Sequence, residues 1–100
     1  MKTPKSMMIG PVEVPIREEP GLISKRELGG YTEFPSGEIE ICPDLPPQQA
    51  VLTIFHECLH AISAQYGLGL SESKVRVLEM SISALFRDND DFTKVYFKHL

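Results

Sequence analysis

Between Pro47 and Gly67 the apolar residues Val51, Leu52, Ile54, Phe55, Cys58, Leu59, Ile62 and Tyr66 recur at the spacing of one helix face. This predicts a helix over about 47–66, opened by Asp44 or by the prolines at its first turn and closed by Gly67. After the short Gly67-Leu68-Gly69-Leu70 loop, Ser71 is placed to cap a second helix running to about Arg87, with Val75, Leu78, Ile82, Leu85 and Phe86 as its apolar stripe. Asn89-Asp90-Asp91 ends that helix, and Phe92, Val95, Tyr96 and Phe97 predict a short C-terminal helix. Upstream the pattern changes. Prolines and glycines break residues 4–47 into short pieces, of which Met7 to Val14 and Glu27 to Phe34 read as weak strands. Glu38 to Cys42 alternates strictly enough for a half-exposed strand, and Pro35-Ser36-Gly37 is the expected hairpin turn before it. Strands followed by helices predict an α+β chain.

A chain of 100 residues suits one domain, so a single core and a single site over residues 1–100 are expected: sheet at about 7–42, helices at about 47–66 and 71–87, and a short segment at 90–100. Ten Lys and Arg against fourteen Asp and Glu leave a net charge of −4, without the basic footprint of a nucleic-acid binder. No apolar run approaches the length of about 20 residues that a membrane span needs, and the N-terminal stretch lacks a signal-like apolar segment, so a cytoplasmic protein is expected. Cys42 and Cys58 form no CxxC pair and read as reduced, buried thiols.

The chemistry lies in His56-Glu57-Cys58-Leu59-His60, an HExxH motif inside the first predicted helix. Residues four apart on a helix share a face, so two imidazoles can bind one Zn²⁺ while Glu57, to one side, can take a proton from water. On the wheel both histidines sit at the margin of the apolar stripe, with Glu57 further round, so the motif can face a cleft. The plain alternative, two unrelated helix histidines, requires a chance match found in about one in several hundred chains of this length. A catalytic zinc takes three protein ligands and leaves one position open. Glu72 and Glu79, seven residues apart on the second helix, are the candidates for the third, and being two turns apart they cannot both reach one ion. A simple antiparallel hairpin of helices favours Glu79, and a steep crossing favours Glu72.

The run His56 to Ile62, the loop Tyr66-Gly67-Leu68-Gly69-Leu70, Ser71-Glu72 and the stretch ending Leu85-Phe86-Arg87-Asp88-Asn89 resemble short phage and prophage-encoded zincin-like proteins. These are similar to minimal gluzincins and, more distantly, to ImmA/IrrE-type metallopeptidases. The resemblance covers about residues 28–90. It implies a three-stranded, mostly antiparallel sheet packed on an active-site helix, followed by a helix that supplies a metal-binding glutamate. Carried over by position, His56, His60 and Glu72 are the zinc ligands and Glu57 is the general base, in the cytoplasm of a bacterial host. Larger gluzincins add a Tyr or His that stabilises the oxyanion; here Tyr31, Tyr66 and His99 are the candidates.

Glu38 to Cys42 is a candidate for the sheet edge bordering the cleft, where an extended peptide could add as a strand. The aromatic tail at Phe92, Tyr96 and Phe97 either plugs the cleft or packs on the second helix. Three functions follow: a zinc metallopeptidase acting on a peptide or protein, a catalytically weak or inactive zinc-stabilised module that binds one, and a metal-free phage interaction protein.

Overall fold

The computed structural model describes residues 1–22, 30–33 and 37–100, with the backbone alone at 31–33. It is a small α+β fold. Four strands, β1 (Ser6–Ile9), β2 (Val12–Glu18), β3 (Gly30–Glu33) and β4 (Glu38–Ile41), precede three helices, α1 (Pro47–Tyr66), α2 (Glu72–Asp88) and α3 (Asp90–His99). The strands lie in the order β1-β2-β4-β3.

Met7 to Val14, expected as one strand, is a hairpin. Its two-residue turn starts at Gly10, whose φ of 57° is the left-handed value that glycine adopts without a side-chain clash, and Ile9 pairs with Val12. The second half of β2 then leaves β1 and runs parallel to β4, pairing Ile16 with Ile39. β3 and β4 are antiparallel, with Gly30 opposite Ile41 and Glu33 opposite Glu38, as the expected hairpin requires. Residues 23–29 and 34–36, including most of the expected turn and the ends of the expected 27–34 strand, lie outside the described residues.

β4 is therefore an interior strand. It is not the edge that its alternating glutamates suggest. Glu40 is only 4% exposed, because β2 and β3 flank it and Arg17 of β2 covers it. The guanidinium of Arg17 pairs with the carboxylates of both Glu40 and Glu38, the latter at 2.7 Å, so the buried charge is compensated. The edge is β3.

α1 has the bounds expected of it. Pro46 and Pro47 open it without a side-chain cap, so Asp44 has no capping part, and Gly67 closes it with a φ of 66°. Its inner face is rotated from the stripe of large apolar residues: Ala50, Ile54, Cys58 and Ala61 pack on Ile9, Val14, Ile39 and Ile41, while Val51 and Tyr66 are exposed. Small side chains at three of these four positions let the helix lie close on the sheet. The loop to α2 is held from α1. The Leu68 amide donates to the Ser63 carbonyl at 2.9 Å, and the Leu70 amide donates to the buried Ser63 hydroxyl at 2.8 Å. Ser71 then caps α2 by accepting from the Lys74 amide. Val75 is fully buried, but Leu85 is half exposed, so α2 docks mainly through its first turns.

α3 packs on α2 through aromatic contacts of Phe86 with Tyr96 and Phe97, at ring separations of 5.9 and 5.6 Å. The C-terminal aromatics thus lean on the second helix. No helix among the described residues is long and apolar enough to cross a membrane.

Candidate metal centre

His56 and His60 stand one turn apart on α1, with ring centroids 5.0 Å apart. Both present Nε2 to Glu72 at the start of α2: His56 lies 2.6 Å from Oε1 and His60 lies 2.8 Å from Oε2. One carboxylate thus bridges two imidazoles. The bridge depends on the loop: α1 ends on its glycine, Ser63 fixes Leu70, and the Ser71 cap starts α2 with Glu72 as its first residue.

Glu79 approaches from elsewhere. Two turns further along α2, its Oε1 lies 2.8 Å from Nδ1 of His56, the ring nitrogen turned away from Glu72. The two glutamates whose order spacing left open therefore meet the same imidazole on opposite sides. His56, His60 and Glu72 form a group that could hold a metal ion, with donor atoms all within 4.8 Å of one another. Two imidazole nitrogens and a carboxylate oxygen suit a divalent ion with one position left for water. The 2.6 and 2.8 Å contacts run to different oxygens of the Glu72 carboxylate, so either oxygen is placed to serve as a ligand atom.

Desolvation alone would raise the Glu72 carboxyl, but the charges and hydrogen bonds of His56 and His60 outweigh it and hold the group below its ordinary value. Arg76, one turn on, adds a longer contact at 3.6 Å.

His56 opens onto a cleft of about 450 Å³ lined by Gly30 of β3, by Gln48, Gln49, Leu52, Thr53, His56 and Glu57 of α1, and by Glu72, Arg76 and Glu79 of α2. Glu57 is only 7% exposed and packs beneath the edge strand, so it belongs to the cleft wall where it meets the core. A Cβ added at Gly30 would stand 3.1 Å from Glu57 Cγ and 2.5 Å from Thr53 Cγ2, which shows how closely strand and helix approach. Cys58 is a core thiol. Burial first, and the Glu57 charge second, push it up to about 11.

Several expected participants lie elsewhere. The edge strand bordering the cleft is β3, so Glu38 to Cys42 has no part in it. Tyr66 is exposed at the end of α1, His99 is exposed at the end of α3, and neither lines the cleft; the Tyr31 side chain lies outside the described residues. No residue of α3 lines the cleft. Gln49, Leu52 and Thr53 precede His56 by seven, four and three residues, so helical spacing from the motif locates them on the cleft face. Arg76 follows Glu72 by one turn in the same way.

No family model matches this chain, and no curated protein or solved structure matches it.

Proposed function

We propose that the protein is a zinc-dependent peptidase in which His56, His60 and Glu72 hold the metal and Glu57 is the general base. The observation that carries this reading is the convergence of both Nε2 atoms on the Glu72 carboxylate in a cleft whose wall contains Glu57. When bound, zinc supplies Lewis acidity that polarises a carbonyl and makes a neighbouring water acidic near neutral pH.

The remaining work falls to the chain's own groups. The Glu57 carboxylate takes a proton from water, the water oxygen adds to the scissile carbonyl carbon, and Glu57 returns the proton to the amine as the C–N bond breaks. Its burial beneath β3 fixes the carboxylate in place and limits its exchange with bulk solvent. Lying between β3 and the two helices, the cleft is open enough to admit an extended peptide segment, and among the described lining residues Arg76 is the one permanent cation. The substrate class is accordingly a peptide or an unfolded protein segment.

The test is zinc stoichiometry by mass spectrometry together with cleavage of a peptide library by the full chain. Glu57→Gln should retain zinc and lose a factor of about 10²–10⁴ in kcat. Retention of full cleavage by Glu57→Gln would refute its role. Zinc binding without cleavage of any peptide would favour a zinc-stabilised binding module.

A further inference from the structure

His56 is held at both ring nitrogens. Nε2 faces Glu72, and Nδ1 lies 2.8 Å from Oε1 of Glu79, a carboxylate only 17% exposed, whereas His60 meets a carboxylate through Nε2 alone among the described residues. A neutral imidazole that gives its Nε2 lone pair to a metal carries its proton on Nδ1, and a partly enclosed N–H needs an acceptor. Glu79 supplies that acceptor. Because it meets the ring on the side away from Glu72, it stands behind the ligand and outside the set that would surround the ion.

We propose that Glu79 is the positioning residue for His56: it accepts the Nδ1 hydrogen bond, selects the tautomer whose Nε2 lone pair is free, and fixes the ring plane toward the metal position. This rests on the proposed metal centre. Glu72 and Glu79 divide the labour by their spacing on α2, since two turns separate a carboxylate that reaches the front of the ring from one that reaches its back. A negative charge behind the ring also makes Nε2 a stronger donor, which is how partners of metal-bound histidines tighten binding. One short helix thereby provides both a ligand and the brace for another ligand.

The experiment measures zinc affinity of the full chain by competition with a chromophoric chelator, alongside imidazole ¹H–¹⁵N spectra of the zinc-loaded protein. Glu79→Ala, Glu79→Gln and Glu72→Ala are compared with wild type, and melts without metal check folding. Glu79→Ala is expected to keep the stoichiometry, weaken zinc by about 10–100-fold and lose the hydrogen-bonded His56 Nδ1–H resonance. Glu79→Gln, whose carbonyl still accepts from Nδ1–H, should recover most of the affinity and retain the resonance. Should Glu79→Ala fail to fold, Glu79→Gln decides, because a full loss of affinity in the folded Gln variant overturns the proposal. Unchanged affinity and an unchanged His56 resonance in Glu79→Ala also overturn it, as does loss of stoichiometry in Glu79→Ala while Glu72→Ala still binds. Zinc-free wild type after refolding with metal overturns the metal centre and this inference together, a result recognisable before any Glu79 variant is compared.

Discussion

Replacing Gly30 by Ala tests how closely the edge strand approaches the active helix. Gly30 lies in a β-strand, whose extended backbone alanine adopts as readily, so the obstacle is space. The new Cβ would stand 2.5 Å from Thr53 Cγ2, against an ordinary carbon–carbon separation of about 3.5–4.0 Å, so strand or helix must give by roughly 1 Å. Thr53 cannot swing away freely, because a β-branched side chain on a helix has few rotamers. Overpacking of this kind costs about 1–3 kcal/mol. For a chain of this size each kcal/mol lowers Tm by about 4–8 °C. With no tryptophan in the chain, unfolding in urea is best followed by far-ultraviolet circular dichroism. The sign decides the matter, since Gly→Ala at a roomy site with compatible backbone stabilises by about 0.4–1 kcal/mol. A second variant locates the clash: Thr53→Ser deletes Cγ2, and on that background Gly30→Ala should cost less, with a coupling of about 1 kcal/mol. An unchanged or raised urea midpoint in Gly30→Ala, or strict additivity with Thr53→Ser, would refute the reasoning.

Three further outcomes follow from groups outside the ligand set. Ser63→Ala removes the acceptor of the Leu70 amide and should cost about 1–3 kcal/mol in urea while weakening zinc, because that hydrogen bond sets where α2 begins; equal zinc affinity would detach the loop from the site. The Cys58 thiol, pushed up to about 11, should resist Ellman's reagent at pH 8 until the protein unfolds, and prompt labelling of native Cys58 would contradict its burial. A thiol raised in the folded state leaves stability intact below its unfolded value of 9.0 and lowers it as pH rises toward 11, so the urea midpoint should fall across that window and fall less in Cys58→Ala.

The helices were legible because their signals are local. Prolines at the first turn, Gly67 at the end and Ser71 before Glu72 are backbone requirements written in single residues, and the structure places α1 and α2 within a residue of the expected bounds. The strands were less so. Alternation at Glu38 to Ile41 describes a strand with one wet face, yet burial of Glu40 depends on Arg17, more than twenty residues upstream and joined only through a parallel pairing. Hydrophobic counting likewise misplaced the inner face of α1, because it weighs Val51 and Tyr66 above Ala50 and Ala61, although the close approach of helix and sheet selects the small residues. Motif spacing grouped His56, Glu57 and His60 on one helix but could not choose between Glu72 and Glu79, since that choice depends on how α2 crosses α1.

What decides the crossing is a chain of short-range contacts. The left-handed residue at Gly67 turns the backbone, Ser63 catches the amides of Leu68 and Leu70 on the return, and the Ser71 cap starts α2 with Glu72 already opposite His56 and His60. Val75, fully buried one turn later, anchors the same segment in the core. With the helix start and its first buried residue both fixed, the 5.4 Å pitch of an α-helix leaves little freedom in where the side chain two turns beyond Glu72 can reach. Glu79 therefore arrives at Nδ1 of His56 as a geometric consequence of where α2 begins, and shifting that start would move the ligand and its brace together.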